Sequence, residues 1–333
     1  MTRTVGTAIA GSSAGGTPAD TEWRRVIVTD ICEQGIDVVS LTLGTDDGTA
    51  LPDWSPGAHV DVDLGDDLVR QYSLCGTPGA PTWRVAVLRE RESRGGSERA
   101  HRLTPGDHVR VRGPRNHFRL DDAQEYLFIA GGIGVTPILP MIGHAEESGI
   151  AWTLHYGGRT RDSMAFLDEL GTYGGKVHLY PQDSVGLLDL PRILGEPRAR
   201  VGVYCCGPEG LLAAAEAAAA AWPAGSLHTE RFSPVEPVGP RAGDTAFEVE
   251  CRLSGVTVTV ADDETILEAV ERTGGVIVAA SCREGTCGTC EATVLDGVPD
   301  HRDSVLTDDE RDSGEVILTC VSRSCTSRLV LDL

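Results

Sequence analysis

The chain has 333 residues and a formal net charge of −21, with 41% hydrophobic but only 5% aromatic residues. That length suits two or three domains, and that charge argues against nucleic acid or an anionic membrane as a partner. No apolar run reaches the roughly 18 residues of a membrane span, and the start Met1-Thr-Arg-Thr lacks the apolar stretch of a signal peptide. Residues 1–21, rich in Gly, Ala, Ser and Thr, read as a disordered tail.

From residue 22 to 121 the chain is broken by Gly, Pro and Asp at short intervals. β-type runs lie between the breaks, at Trp23–Val28, Val38–Leu43, His59–Leu64, Gln71–Leu74, Trp83–Leu88 and His108–Val111. Such spacing predicts a small antiparallel barrel. Within it, the strand Arg70-Gln71-Tyr72-Ser73-Leu74 alternates its side chains, so Arg70 and Tyr72 share one face and Ser73 takes the other. An aromatic can stack on a planar ring, a hydroxyl can bond its edge, and an arginine can bind phosphate. Downstream, Arg94-Gly95-Gly96-Ser97 offers N–H groups, a cation and a hydroxyl suited to a phosphate.

Residues 122–231 alternate strand and helix. Strands are expected at Tyr126–Ala130, Trp152–Tyr156, Val177–Tyr180 and Val201–Cys205, with helices at Ile138–Glu147, Ser163–Leu170 and Glu209–Ala221. This rhythm predicts a parallel α/β sheet whose ligands sit beyond the carboxyl ends of its strands. The turn Gly131-Gly132-Ile133-Gly134-Val135-Thr136-Pro137 follows a strand and opens a helix that Thr136 is placed to cap. Pro137 occupies the third glycine position of a G-x-G-x-x-G, so a standard dinucleotide fingerprint does not follow. A second such turn is Cys205-Cys206-Gly207-Pro208.

Residues 232–245, with three prolines, read as a semi-rigid linker. The remainder, 246–333, predicts strands at Glu248–Leu253 and Val256–Val260 and a helix at Thr265–Arg272. From Phe247 onward it carries 18 acidic and 7 basic residues, a net of −11. Its Cys282, Cys287 and Cys290, with Cys320 far downstream, match the C-x4-C-x2-C plus distant cysteine of a plant-type [2Fe–2S] site. A structural zinc site would take its cysteines as two spaced pairs. Gly285 and Gly288 let the loop fold tightly. Ten cysteines in a long chain, four in metal spacing, point to a reducing cytoplasm rather than to disulfides.

Taken together, Arg-x-Tyr-Ser-Leu, the Gly-Gly-Ser turn, Gly113-Pro-Arg-Asn-His-Phe118, Gly-Gly-Ile-Gly-Val-Thr-Pro, Cys-Cys-Gly-Pro, Glu230-Arg-Phe232 and the cysteine set occur in one order. In this the chain resembles the phthalate dioxygenase reductase and vanillate O-demethylase reductase family from about residue 22 to its end. The resemblance implies a flavin-binding β-barrel, an NAD-binding domain of ferredoxin-reductase type and an α+β plant-type ferredoxin domain. It assigns flavin contacts to Arg70, Tyr72, Ser73, Ala86, Val87, Leu88, Gly95, Gly96, Ser97, Thr136 and Phe232. Relatives often carry lysine where Leu88 stands, a departure in this chain. It assigns the nicotinamide nucleotide to Gly131, Gly132, Gly134, Cys206, Gly207 and Pro208, with Cys206 nearest the reacting ring.

The barrel motifs do not separate FMN from FAD; the C-terminal ferredoxin position and the Gly-Pro-Arg-Asn-His-Phe segment favour FMN. NADH is the expected nucleotide on family grounds: Arg159, Arg161 and Ser163 could bind a 2′-phosphate, which Asp183 disfavours. The order of parts implies a reductase that passes electrons from NADH through flavin and cluster to a Rieske-type oxygenase. A cytochrome P450 acceptor is the alternative, and a redox-sensing flavin and iron–sulfur regulator is a third reading. The acidic final block could steer a basic acceptor or simply aid solubility.

Overall fold

The computed structural model describes residues 22–66, 68–91, 93, 95–234 and 239–333. The expected tail, Arg94 and the centre of the linker lie outside the described residues.

Six strands form the first sheet: β1 Arg24–Gly35, β2 Val38–Gly44, β3 His59–Asp63, β4 Val69–Ser73, β5 Trp83–Leu88 and β6 His108–Arg115, with helix α1 at Gly96–Ala100. All its pairings are antiparallel, in the order β4-β3-β6-β1-β2-β5, and a Leu74–Val85 bridge joins the two end strands into a barrel. The interior follows from period-two alternation. Val26 and Val28, Leu41 and Leu43, Val60 and Val62, Val85 and Val87, and Val109 and Val111 all enter one buried cluster. Register shifts in β1 after Val28 and Glu33 bend this 12-residue strand around the barrel.

The second sheet is parallel. It comprises β7 Glu125–Gly131, β8 Ala151–Gly158, β9 Val177–Pro181, β10 Val201–Cys206 and β11 Leu227–Glu230, ordered β11-β10-β7-β8-β9. Strands buried on both faces read as continuous apolar runs. Tyr126, Phe128 and Ala130 pack towards helix α2 (Val135–Glu147), which lies on the same side of the sheet as the short helix α3 (Leu167–Gly171). Leu127 and Ile129 pack on the other side with residues of α5 (Leu190–Ile193) and α6 (Glu209–Ala218). Between α3 and α5 the chain makes a 3-10 turn at Gly174–Lys176 and one turn of α-helix, α4 (Gln182–Val185). The helix expected over 163–170 is a correction: Met164 to Phe166 are buried in non-helical backbone, and α3 begins only after Phe166, whose φ is 62°. That segment is shaped by the barrel, since Ile36 donates its N–H to Asp162 O at 2.8 Å.

The third sheet orders β13 Val256–Val260, β12 Phe247–Cys251, β18 Arg328–Leu331, β14 Glu291–Asp296 and β16 Val316–Leu318, with only β12 and β18 parallel. A small pair, β15 Pro299–Asp300 and β17 Arg323–Ser324, lies beside it. Helix α7 (Ile266–Thr273) starts in a capping box in which Thr265 and Glu268 satisfy each other's N–H groups; α8 (Asp308–Ser313) repeats the device with Thr307 and Glu310. The barrel and the parallel sheet share a core, because Val38, Cys75, Ala86 and Phe118 belong to the cluster around α2. The third unit keeps its apolar clusters to itself.

Candidate functional site

Arg70 and Tyr72 lie on β4, and the structure brings the Gly95–Ser97 turn to them. A Cβ on Gly96 would stand 2.6 Å from Arg70 Cγ and Nε, so glycine is what lets the arginine lie over the turn. Gly95 itself has φ 89°. Ser97 Oγ accepts from Glu90 N at 3.0 Å and meets Ser93 Oγ, which fixes the turn from inside. Arg70 and the Gly95–Ser97 backbone together form a cradle fit for a phosphate. Along β5, Val87 enters the barrel core, whereas Ala86 and Leu88 face the second unit. Burial pushes the Tyr72 phenol up to about 12, so it stays neutral.

The two glycine turns sit at the ends of β7 and β10, neighbours paired Ala130 to Cys206. Sheet order reverses between these strands, with β8 and β9 to one side and β11 to the other. That reversal is the switch point where such sheets bind ligands. The turns touch each other: a Cβ on Gly134 would meet Cys206 O at 2.3 Å, and one on Gly131 would meet Pro208 Cδ at 2.7 Å. Gly132 alone of the three has a positive φ, 54°, and open space beside it. Thr136 does not cap α2. Gly134 holds that position without a side-chain bond, and the Thr136 hydroxyl donates to Ile133 O at 2.9 Å from inside the first turn.

Cys206 is fully buried, and its thiol donates to Glu230 Oε2 at 3.8 Å. Burial and the adjoining Glu230 push its pKa far up, so it remains a thiol. Burial likewise raises the Glu230 carboxyl to about 8, against hydrogen bonds from Cys206 and Ser73 that lower it. Sequence reasoning does not single out Glu230 as a site residue; the available signal is its place next to the Arg-Phe pair. Phe232 follows just beyond β11 and is 44% exposed. On the neighbouring loops, Ser163 is engaged with Thr160 in a capping box, and Asp183 N donates to Arg159 O at 3.1 Å.

Cys287, Cys290 and Cys320 are buried and Cys282 half-buried; all ten cysteines are free thiols. Cys282 is in sulfur contact with Cys287 and Cys320, and Cys290 with Cys320. Glu284 N and Thr286 N donate to Cys282 Sγ at 3.3 and 3.4 Å, and Thr289 Oγ1 lies 3.1 Å from Cys287 Sγ. Among the described residues no group of His, Cys, Asp or Glu converges on a single metal ion. Four thiols in linked contacts, with N–H donors aimed at sulfur, suit two bridged irons instead. Positive φ values at Gly285 (68°) and Gly288 (70°) give the loop its tight path.

Strand β4 joins these sites. Ser73 bonds to Glu230, and Gln71 donates to Ser281 Oγ in the cluster loop and to Asp61 Oδ1 at 2.9 Å. Asp61 is fully buried and paired with Arg112 (2.8 Å) and Arg115 (2.6 Å), while Arg112 also donates to Ala280 O at 3.0 Å.

Comparison with known proteins bears on the fold and the family. Residues 249–325 match the model of the 2Fe-2S iron-sulfur cluster binding domain. The phenoxybenzoate dioxygenase subunit beta of Ectopseudomonas oleovorans is 41% identical over 301 residues, 89% of this chain and 93% of that protein. The vanillate O-demethylase oxidoreductase of a Pseudomonas species is 37% identical, over 93% of this chain and 99% of that one. Among solved structures, phthalate dioxygenase reductase superposes with a TM-score of 0.69 at 33% identity, covering 96% of this chain and 100% of its own. An intact type IV self-sufficient cytochrome P450 monooxygenase matches with a TM-score of 0.88 at 46% identity; the match covers 93% of this chain but 41% of the P450 chain. On these grounds the chain belongs to the phthalate dioxygenase reductase and vanillate O-demethylase reductase family of flavin and [2Fe–2S] oxidoreductases.

Proposed function

We propose that the chain is the NADH-dependent reductase component of a multicomponent oxygenase, delivering electrons to a Rieske-type terminal oxygenase. The observation that carries this is the double contact of β4: Ser73 reaches Glu230 beside Cys206, and Gln71 reaches Ser281 beside Cys282. One strand thus spans the nucleotide turns, the flavin strand and the cluster loop. When bound, the flavin takes a hydride from NADH and gives up two electrons singly to the cluster.

In this reading three functional units occupy 22–121, 122–231 and 246–333, joined by the 232–245 linker. Arg70 with Gly95, Gly96 and Ser97 holds the flavin phosphate; Tyr72, Ser73, Ala86, Leu88, Thr136 and Phe232 surround the rest of an FMN, whereas the Val87 side chain, buried inside the barrel, leaves only its main chain for the flavin. Gly131, Gly132, Gly134, Gly207 and Pro208 would receive the nucleotide, and Cys206 with Glu230 would adjoin the reacting ring. Cys282, Cys287, Cys290 and Cys320 ligate the cluster. No helix among the described residues is long and apolar enough to cross a membrane. The ten cysteines form no disulfide, which suits a cytoplasmic setting.

A P450 acceptor is the second reading, favoured by the 46% identity to the self-sufficient P450 chain. Anaerobic NADH titration followed by absorption, with identification of the heat-released flavin, tests the relay. Flavin and iron–sulfur bands should bleach with NADH, and absence of either band refutes it. Adding oxidised Rieske oxygenases and P450s to the reduced protein then separates the two acceptors by which is reduced.

A further inference from the structure

Two barrel histidines lie against the cluster loop. His59 opens β3 and is 7% exposed, and its ring is within hydrogen-bonding reach of the Cys287 main chain. Its cross-strand partner is Ser73, the residue that bonds Glu230. His59 therefore stands between the flavin strand and a cluster ligand. Its Nε2 is buried without a hydrogen-bond partner among the described residues, a costly arrangement for a purely structural side chain. His117 rests on the next loop residue: a Cβ on Gly288 would come 2.3 Å from its Nε2. The two rings are 5.9 Å apart.

The segment carrying His117 is held by contacts within its own unit. Asn116 donates to Ser55 Oγ and Pro56 O, both at 2.8 Å, and accepts from Phe118 N at 3.0 Å. Gly57 makes room for it, since a Cβ there would lie 1.9 Å from Phe118 O. Among the described residues the third unit contributes no apolar residue to a core cluster shared with the barrel, so polar contacts place the loop: those of the two histidines together with Gln71 to Ser281 and Arg112 to Ala280.

We propose that His59 and His117 are positioning residues for the one-electron step from reduced flavin to oxidised cluster, seating the Cys287–Gly288 edge of the loop against the barrel. This rests on the flavin and cluster reading above. Loss of either prosthetic group in the purified parent would undo that reading before any variant is made, so the two failures are distinguishable.

The test compares His59→Leu and His117→Ala with His59→Gln and His117→Gln, which retain a donor. Anaerobic stopped-flow should show flavin reduction by NADH within twofold of the parent in all four. Cluster reduction should slow at least tenfold in the Leu and Ala variants and recover to within threefold in the Gln variants. The flavin–cluster equilibrium should shift by at least tenfold in the same two variants, about 59 mV for a one-electron couple. Parental cluster kinetics and potential in the Leu and Ala variants overturn the proposal, as does equal impairment in the Gln variants. Should the Leu and Ala variants fail to fold, the parent itself gives the answer. With nitrogen-15 histidine, pulsed EPR of the reduced cluster should show coupling to a histidine nitrogen that His59→Gln removes; no such coupling in the parent overturns the proposal.

Discussion

Glu230 shows what a single residue gains from its surroundings. Alone it is an ordinary carboxylate; beside Cys206 and Ser73 burial raises it to about 8. It is therefore mostly neutral near pH 7 and able to donate a hydrogen bond, and it ionises as pH rises through that value. Because its folded pKa is raised, its ionisation costs stability above the ordinary carboxylate range, a cost that grows until about pH 8. The rate of flavin reduction by NADH should accordingly change with an apparent pKa near 8 that Glu230→Gln abolishes; a parental pH profile in that variant would count against the assignment. The cysteine set was legible at this scale because ligand spacing is a local property. Glu230 was not, since its two partners come from strands 24 and 157 residues earlier in the chain.

Among elements, glycines with the same chemistry have opposite tasks. Gly143 lies mid-helix in α2, where an added Cβ would meet nothing within 4 Å, so Gly143→Ala should stabilise by about 0.5–1 kcal/mol in chemical denaturation. Gly134 begins the same helix, yet its Cβ would strike Cys206 O and Gly207 N. Gly134→Ala should push the two turns apart, costing about 1–3 kcal/mol as overpacking does and raising the KM for NADH. The α7 cap gives a third case: Thr265→Ala, which removes the hydroxyl that accepts from Glu268 N, should cost about 1 kcal/mol by the same measurement. Strand alternation made the barrel readable, and continuous apolar runs alternating with helices made most of the parallel sheet so. The 163–170 segment misled because its helical pattern is overridden at Phe166, where docking onto the barrel imposes a left-handed backbone. Strands β11, β16 and β18 escaped notice because they have only four, three and four residues.

For the whole molecule the decisive feature is the contrast between its two seams. Barrel and parallel sheet share an apolar core, whereas the ferredoxin-like unit meets the barrel through Gln71, Arg112, His59 and His117. Behind that polar seam, burial opposes the charge on Asp61, but Arg115, Gln71 and Arg112 together hold its carboxyl below the usual range. A depressed carboxylate contributes stability above its unfolded pKa that is lost as pH falls through the folded value. Asp61→Asn leaves two arginines facing a neutral side chain, so it should cost about 3–5 kcal/mol and flatten the acid limb of the stability curve. The net −11 of the last unit adds an expectation for its partner: if charge steers docking, electron delivery to a basic acceptor should slow as ionic strength rises. By itself the sequence determined the barrel, the parallel sheet and the iron–sulfur unit, because periodicity and cysteine spacing are written in neighbouring residues. Only the tertiary structure decided that Ser73, Glu230 and Cys206 meet, and that His59 and His117 abut the cluster loop, because such contacts depend on strand order and domain docking.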